Sequence, residues 1–257
     1  MPSLIRLFVL LIFILLQTSF RVNAQASRPD TLMNIPMFYG HGGFDLAGGD
    51  LADRFGNNFE AGGGFMFKTK TNWIFGLDLN YFFSEKVKEG VLDSIITKDG
   101  YLIGSDGLFA DVRVTERGVK LPIFKVGKIF SKPVLNAGIN SGLLVMGGIG
   151  FMQHKINFHD VSMTAKQLES DYAKGYDRLS NGLALTQNLG YMYLARNRNI
   201  NFFIMTEFTQ GFTKNRRDYN FSTMTKDESN RVDLMYGLKI GWIFPVYKKL
   251  PKTFYYN

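Results

Sequence analysis

Three histidines are the side chains of this chain best suited to proton transfer, since imidazole titrates near neutral pH. Hydrolytic or acyl-transfer chemistry needs such a base held by a carboxylate and close to a nucleophile. His159 is followed by Asp160, Ser162 and Thr164, so a surface enzyme with a rim site near His159 is one alternative. The spacing matches no catalytic signature, and we therefore expect a protein that is not an enzyme and has no catalytic residues.

The residue pattern gives little support for a metal site or a phosphate-binding loop. The chain has no cysteine, and His154, His159 and Asp160 lack the spacing of a tetrahedral zinc site. We expect these three residues to lie in an exposed loop. The glycine-rich stretches 40–43 and 61–64 are not followed by a helix, as a phosphate-binding loop would be. We expect no metal and no cofactor. His41 is expected to be part of a polar core, and the glycines to permit strong strand curvature.

The amino-terminus has the layout of an export signal. Arg6 precedes an apolar run from Leu7 to Leu16, and Val22-Asn23-Ala24 fits a signal peptidase site. We predict a cleaved signal peptide at 1–24, with an uncleaved anchor as the alternative. The formal net charge of +8 then falls by two, because Arg6 and Arg21 leave with the signal. Export makes nucleic acid an unexpected partner despite the basic balance.

The elements that must position any site are strands, because hydrophobic residues recur with period two. The clearest segment is the last, where eight apolar residues alternate strictly from Val232 to Val246. Alternation of the same kind predicts seven earlier segments, at Met37–Leu46, Phe59–Lys68, Trp73–Phe83, Leu108–Phe130, Val134–Phe151, Asn181–Leu194 and Ile200–Phe212. The phase of the fourth segment changes before Arg117, which predicts a bulge near Glu116–Gly118.

Long and short links alternate between these segments. Residues 47–58, 84–107, 159–180 and 213–231 are long and polar, whereas 68–72, 131–133 and 196–199 are short. An even number of strands with tight turns on one side is typical of bacterial outer-membrane barrels. Alternation alone also fits a soluble barrel with an apolar lumen, but Tyr and Trp near the segment ends favour contact with lipid. We predict an all-β, eight-stranded antiparallel up-and-down transmembrane β-barrel.

The predicted organisation has four parts. A signal peptide (1–24) precedes a periplasmic segment (25–36), the outer-membrane barrel (37–247) and a basic periplasmic tail (248–257). No later stretch contains the ~18–20 apolar residues of a membrane helix.

The long links carry two further expectations. The apolar residues of 84–107 predict that the third and fourth strands extend as a hairpin, or that this link packs on a partner. Residues 161–176 predict a short helix.

The inward face of an eight-stranded barrel has room only for side chains. The alternation directs five charged residues into it, namely Glu60, Asp78, Lys120, Glu207 and Lys239. Buried charges must pair or be neutralised, so we expect an internal ion-pair network. A gated path for ions or water, which would make the protein a small pore, is the functional alternative.

The short-turn edge of the predicted barrel is strongly basic and carries no acidic residue. Its ten cations are Lys68, Lys70, Lys125, Lys128, Lys132, Arg196, Arg198, Lys248, Lys249 and Lys252. Such a rim is expected to contact anionic lipid headgroups. Docking of the tail to another envelope protein, or no specific role, are the alternatives.

The closing segment Gly237–Pro245 and the stretch Val119-Lys120-Leu121-Pro122-Ile123, together with the export signal and eight segments, resemble the small outer-membrane β-barrel proteins of the Bacteroidota, the PorT-like and OmpA-like barrel group. The resemblance covers most of residues 35–247. It implies a structural or adaptor barrel in the outer membrane, and by analogy a subunit of an envelope machine such as type IX secretion. One departure is the tail, because many such barrels end on an aromatic residue and this chain continues past Phe244.

Overall fold

The computed structural model describes residues 31–131, 137–196 and 199–247. The predicted signal peptide and tail lie outside these ranges. Eight strands form a closed antiparallel barrel in which each strand pairs with its neighbours along the chain and the last pairs with the first, which confirms the predicted eight-stranded up-and-down fold. These strands are β1 (Ile35–Gly48), β2 (Asn58–Lys68), β3 (Trp73–Ser84), β6 (Val112–Ser131), β7 (Gly142–Asp160), β8 (Ser180–Leu194), β9 (Asn201–Asn215) and β10 (Asn230–Pro245).

The remaining elements are small and lie in the long links. A helix, α1 (Gly49–Arg54), follows β1, and a two-stranded hairpin, β4 (Leu102–Ile103) with β5 (Phe109–Ala110), lies between β3 and β6. Two 3-10 helices, Lys166–Leu168 and Tyr172–Gly175, occupy the link where a short helix is predicted. Among the described residues, no helix is long and apolar enough to cross a membrane. We call the end of the barrel that carries the long links the long-loop end, and the end that carries the short links the short-turn end.

Two predicted segment boundaries are wrong. The fifth strand begins at Gly142, because residues 138–141, which the prediction includes in the strand, form a turn in which the Ser141 N–H donates to the Gly138 carbonyl at 2.9 Å. Val134, its predicted start, lies outside the described residues. The fourth barrel strand, β6, begins at Val112 and not at Leu108, because residues up to Ala110 belong to the separate hairpin. The predicted extension of β3 into its long link is also wrong, since β3 ends at Ser84.

The irregularity of β6 lies at a different place from the one predicted. Pairing with β7 slips between Lys120 and Ile123, not near Glu116–Gly118. Proline has no N–H to donate to the ladder, so Pro122 interrupts it. Leu121 and Pro122 both face outward, and the inward phase changes from even to odd positions. Ile123 is therefore fully buried inside the barrel.

The outward face of the barrel is apolar and aromatic. Phe38, Trp73, Phe124 and Trp242 each leave about half of their surface exposed. Ring contacts run across neighbouring strands near the long-loop end, with centroids 5.2 Å apart for Phe44 and Phe59 and 5.9 Å apart for Phe59 and Phe83. The outward face therefore consists of side chains that a soluble protein ordinarily buries.

The barrel interior is layered, and not polar throughout as the alternation suggests. The layer at the short-turn end is apolar and is built mainly from Ile35, Met37, Met66, Ile74, Ile129, Leu144, Met192, Leu194, Phe203 and Ile243. A second apolar layer, nearer the long-loop end, includes Leu51, Phe55, Phe82, Met152, Ile156 and Met235. Seven of the chain's eleven methionines are buried in these layers or beside them: Met37, Met66, Met146, Met152, Met192, Met205 and Met235. Methionine suits such irregular spaces because its unbranched side chain is adaptable.

The long-loop end is closed by a plug, which we define as α1 and Phe55. Leu51 and Phe55 are fully buried, and Phe55 packs edge-on against the His154 ring with centroids 5.4 Å apart. Above the plug, the long links form a third apolar cluster around Leu102, Ala165, Leu168 and Tyr176. The long links are thus packed on one another and make a cap over the barrel.

Close strand packing explains one of the glycine runs. A Cβ at Gly64 would lie 2.1 Å from the Leu77 carbonyl oxygen and 2.7 Å from the Tyr39 hydroxyl. Gly40, on the neighbouring strand, has no such neighbour, since the nearest atom to its Cβ position is 3.9 Å away. Glycine at position 64 lets the Tyr39 side chain cross the barrel interior.

Candidate functional site

The two apolar layers enclose an ionic layer, which we define as Glu60, Asp78, Lys120, Lys125, Glu207 and Lys239. Glu207 is its centre. Its carboxylate lies 2.6 Å from the Lys239 Nζ, 2.8 Å from the Lys125 Nζ and 3.0 Å from the Lys120 Nζ. The Asn188 amide donates to the same carboxylate at 2.7 Å. Alternation on β6, β9 and β10 directs the charged side chains inward, where the long lysine side chains reach Glu207.

The other two carboxylates complete the network. Glu60 on β2 pairs with Lys120 at 2.5 Å and also with Lys239. Asp78 on β3 pairs with Lys125 at 2.5 Å and accepts a hydrogen bond from the Tyr39 hydroxyl. The structure thus brings the five interior charges predicted from the sequence together and adds Lys125 to them.

The charges of the ionic layer balance, and this balance offsets the free-energy cost of burying them. Three carboxylates face three ammonium groups, and every one of these side chains is at least 96% buried. Removing a charge from water costs several kcal/mol, and close partners must compensate for it. The adjacent cavity, lined by Tyr39, His41 and neighbouring methionines, measures about 10 Å³, which is about the space of a single water molecule. The layer therefore works as packed core.

A second buried polar cluster lies nearer the long-loop end. His154 is fully buried between two carboxylates, with its Nδ1 3.1 Å from Glu116 Oε1 and its Nε2 3.2 Å from Asp233 Oδ2. The Thr213 hydroxyl donates to Asp233 at 2.5 Å. The sequence interpretation places His154 in an exposed loop, which is wrong because β7 continues to Asp160 and keeps its alternation.

His159, the centre of the alternative rim site, has a different environment from the one that catalysis needs. It is exposed and faces Arg113 across the β6–β7 ladder. The Ser162 hydroxyl donates to Asp160 at 2.8 Å and not to an imidazole. Asp160 also accepts the backbone N–H groups of Met163 at 3.0 Å and Ala165 at 2.6 Å. These residues hold the loop after β7 in place.

His41 and the metal candidates are also accounted for by structural contacts. The Nε2 of His41 is 2.9 Å from the Asn80 side-chain oxygen, inside the barrel. Within residues 31–131, 137–196 and 199–247, no group of three His, Asp or Glu side chains is arranged to hold a metal ion. Glu116, His154 and Asp233 are close together, yet their arrangement is that of a carboxylate-bracketed imidazole.

The predicted basic rim divides into three groups. Lys70, Lys128 and Arg196 are exposed at the short-turn end. Lys132, Arg198, Lys248, Lys249 and Lys252 lie outside the described residues. Lys68 and Lys125 are buried inside the barrel, and their placement on the rim is wrong.

Strand phase explains both corrections. Lys68 occupies an inward position of β2, and its Nζ donates to the Asn140 side chain at 2.9 Å. Lys125 follows the change of phase at Pro122, so its side chain points into the ionic layer.

A polar cleft opens between the long links. Its volume is about 500 Å³, and it is lined by Glu89, Gly90, Arg178, Asn220, Thr223, Thr225, Lys226, Asp227, Glu228, Ser229 and Arg231. Its charges are paired within the chain: Arg178 with Glu89, Lys226 with Glu228, and Arg231 with Asp227. The cleft has no net charge. Of its three pairs, Arg178–Glu89 joins two different links, and the other two are local to the last link and the start of β10.

Asp227 is the most strongly perturbed acid of the cleft. Partial burial opposes its ionisation, but the backbone N–H of Ser229 and the guanidinium of Arg231 outweigh that effect and lower the pKa of Asp227 to about 2. The Ser229 N–H lies 3.0 Å from the carboxylate. The last long link is thus held by an ionised aspartate.

Sequence reasoning missed Lys125, His154 and the plug. Pro122 was the available signal for Lys125, since proline inside a strand indicates a break in the ladder. The inward phase of Met152, which continues through His154 and Ile156, was the signal for His154. The plug had no comparable signal, because α1 has only six residues and shows no periodicity.

No protein-family model matches the chain, and no curated protein sequence is significantly similar to it. Among solved structures, the chain is similar to Ail, the attachment invasion locus protein of Yersinia pestis, with 11% identity and a TM-score of 0.44 over 82% of this chain and 99% of Ail. It is also similar to Neisserial surface protein A, with 10% identity and a TM-score of 0.40 over 81% and 95% of the two chains. The N-terminal β-barrel domain of Pseudomonas aeruginosa OprF matches with 11% identity and a TM-score of 0.36 over 81% and 97%. At these similarities, the eight-stranded barrel assignment rests on the strand pairing of the chain itself.

Proposed function

We propose that this chain is an integral outer-membrane protein that acts as a non-enzymatic structural or adaptor barrel. The observation that carries the proposal is the apolar outward face. Large apolar side chains are exposed on all eight barrel strands, from Phe38 on β1 to Phe244 on β10. A contiguous apolar surface of this extent is stable only against lipid or a partner, and a band that encircles a closed barrel favours lipid.

The height of the apolar band supports a membrane. On β6 it is bounded by Lys128, which lies 5.7 Å from the Trp73 ring, and by Arg117, which donates to the Tyr81 hydroxyl at 2.9 Å. These two cations are eleven residues apart. At ~3.3 Å per residue and a tilt of about 40°, that spacing spans about 28 Å, close to the ~25 Å apolar band of outer-membrane barrels. Aromatic and basic residues at both edges suit the two interfaces.

The proposal assigns the short-turn end to the periplasm and the long-loop end to the outside. This orientation follows the usual arrangement of tight periplasmic turns and longer external loops. It is consistent with the predicted export signal and with the start of β1 and the end of β10, which both lie at the short-turn end. The proposed lipid partner is the outer membrane itself.

Interior packing weighs against the small-pore alternative. Two apolar layers enclose the ionic layer, and the plug occupies the long-loop mouth. An ion crossing this interior would have to displace buried methionines and break at least one of the close Glu–Lys pairs. The packed cap of long links favours instead a barrel that presents a fixed external surface.

The finer proposal is a subunit role in an envelope machine, with type IX secretion as the specific case. It is supported by the resemblance to PorT-like barrels and by the filled lumen, which suits an anchor better than a conduit. Co-purification from mild detergent tests it. Stable, stoichiometric envelope partners are expected, and a chain that purifies alone after cross-linking in cells would contradict the adaptor role.

Gel migration and membrane extraction test the barrel in the membrane. The unboiled protein is expected to migrate differently from the boiled protein and to stay in the membrane fraction after carbonate washing. Release by carbonate together with unchanged migration would refute the proposal. Planar-bilayer conductance of the wild type and Lys239→Met tests the pore, since a packed lumen should give no channel activity in the wild type.

A further inference from the structure

A group of outward-facing cations lies directly above the apolar band on one side of the barrel. We define this basic band as Arg117 on β6, Lys155 on β7, Lys214 near the end of β9, and Arg216 directly after β9. Two amides, Gln153 and Asn181, lie between them and are cross-strand partners of each other. The band is therefore one surface that crosses four neighbouring strands.

Cross-strand pairing places like charges opposite each other in this band. Arg117 is the direct partner of Lys155 in the β6–β7 ladder. Like charges at such positions, whose Cβ atoms are ~5 Å apart, repel each other. Among the described residues neither side chain forms an ion pair, and the outward positions of β6–β9 at this height contain no Asp or Glu. An external anion between the two cations would remove the repulsion.

Contacts with neutral groups hold two of these cations in place. The Arg117 guanidinium donates to the Tyr81 hydroxyl at 2.9 Å and lies 5.5 Å from the Phe83 ring centre. The Arg216 Nε donates to the Asn181 side-chain oxygen at 2.6 Å. Because these contacts are neutral, they orient the side chains and leave both charges uncompensated.

The position of the band selects the kind of anion. Immediately below it the outward face becomes apolar, with Phe151 on β7, Leu183 on β8 and Phe212 on β9 paired side by side. A molecule that fills this surface needs hydrocarbon chains against the apolar wall and negative charge at the height of the cations. A phosphorylated lipid has both properties, whereas nucleic acid or an acidic peptide has only the second.

The opposite side of the barrel differs at the same height. There the outward side chains of β1, β2 and β10 are apolar, as with Leu46, Phe59 and Tyr236. The nearby helix α1 contributes the acids Asp50 and Asp53. The positive charge is thus confined to one sector and does not form a uniform ring.

We propose that the basic band binds the phosphate groups of a phosphorylated lipid headgroup in the external leaflet of the membrane. This inference rests on the proposed function, because it needs the barrel to be inserted in that leaflet. The phosphate lies between Arg117 and Lys155 or beside Arg216, and the acyl chains lie against the apolar wall of β7–β9. The bound lipid would be retained at this sector of the barrel.

Native mass spectrometry of the full chain, refolded in neutral detergent, tests the proposal with defined lipids. The probes are diphosphoryl lipid A, the same lipid without its phosphates, and inorganic phosphate alone. The wild type is expected to bind the phosphorylated lipid at least tenfold more tightly than the dephosphorylated one. The variant R117Q/K155Q/K214Q/R216Q is expected to lose at least tenfold in affinity for the phosphorylated lipid only.

A matched control removes four exposed loop lysines in the variant K98Q/K166Q/K174Q/K226Q, which has the same change in net charge. It should bind like the wild type. Equal loss in both variants would show a general charge effect and overturn the proposal, as would undiminished binding by the band variant. Competition by millimolar inorganic phosphate, with no preference for the lipid, would identify a free-phosphate site instead.

Heat-dependent gel migration of the same samples separates this proposal from the proposed function. A wild type that shows no folded band would contradict the membrane barrel itself. A folded wild type without discrimination between the two lipids would refute the basic band alone. If the fourfold variant does not fold, the pairs R117Q/K155Q and K214Q/R216Q replace it, and each should give an intermediate loss.

Discussion

Replacement of Glu207 by glutamine should destabilise the barrel by about 3–5 kcal/mol. The change keeps the shape of the side chain but removes the carboxylate that contacts Lys120, Lys125 and Lys239 at 3.0, 2.8 and 2.6 Å. Three buried ammonium groups would then share the two remaining carboxylates. Leaving one buried charge uncompensated typically costs that amount, which is a large part of the 5–15 kcal/mol that stabilises a folded domain.

A second change tests whether the loss of charge balance is what destabilises the Glu207→Gln variant. Lys239→Met alone leaves the ionic layer with an excess negative charge and should also destabilise it. The double variant E207Q/K239M should recover a large part of the loss, because two balanced pairs remain, Glu60–Lys120 and Asp78–Lys125, each at 2.5 Å. The expected coupling energy between the two changes is about 2 kcal/mol, within the range for directly contacting residues.

Urea unfolding in phosphatidylcholine vesicles measures these differences. The fluorescence of Trp73 and Trp242 reports the transition, because both rings lie on the outward face and about half of each is exposed. Glu228→Gln is the control, since this loop carboxylate and its ion-pair partner Lys226 are both solvent-exposed, and its midpoint should match the wild type. A loss below about 1 kcal/mol for E207Q, or strict additivity of the double variant, would refute the reasoning.

Three further changes test other parts of the structure. Gly64→Ala should prevent or slow folding, because its Cβ would meet the Leu77 carbonyl at 2.1 Å, whereas Gly40→Ala should fold normally, as heat-dependent gel migration would show. Phe55→Ala should lower the free energy of unfolding by about 3–5 kcal/mol, because it empties a fully buried site in the plug; a urea midpoint equal to that of the wild type would mean that the plug does not pack as described. Since the folded pKa of Asp227, about 2, lies below its unfolded value of ~3.9, its contact stabilises the last long link above pH ~4 and is lost as the pH falls toward 2. Pepsin cleavage of that link should therefore rise over this interval in the wild type but be high throughout in Asp227→Asn, and equal cleavage of the two proteins at pH 4 would contradict the assignment.

The strand pattern was predictable because each barrel strand has one outward, largely apolar face and one face toward the lumen. Period two on β10 locates Lys239 and its neighbours without any structure, and the same phase on β9 locates Glu207. Alternation gives only the direction of a side chain, however. It does not say that Glu207 meets three lysines, because that depends on the stagger of eight strands around a closed barrel.

The errors have local causes. Lys125 was misplaced because a single proline changes the phase of β6, so that a residue five positions after Lys120 also points inward. His154 was misplaced because a polar residue near a predicted loop was read as loop, although β7 continues to Asp160. The plug was missed because its burial depends on long-range contacts, and a six-residue helix has no signal of its own.

Oxidation of the interior methionines would show whether the barrel had closed when the oxidant was present. Oxidation converts a thioether to a polar sulfoxide and requires access to the sulfur. Seven methionines are buried in the closed barrel, whereas Met163 and Met224 are exposed on the cap at 78% and 64%. A peroxide pulse before folding would therefore modify residues that the finished barrel shields, and polar sulfoxides would hinder packing of the apolar layers. The time between synthesis and barrel closure is thus the period in which the interior methionines are vulnerable to oxidants, and mass spectrometry of these residues would measure its length.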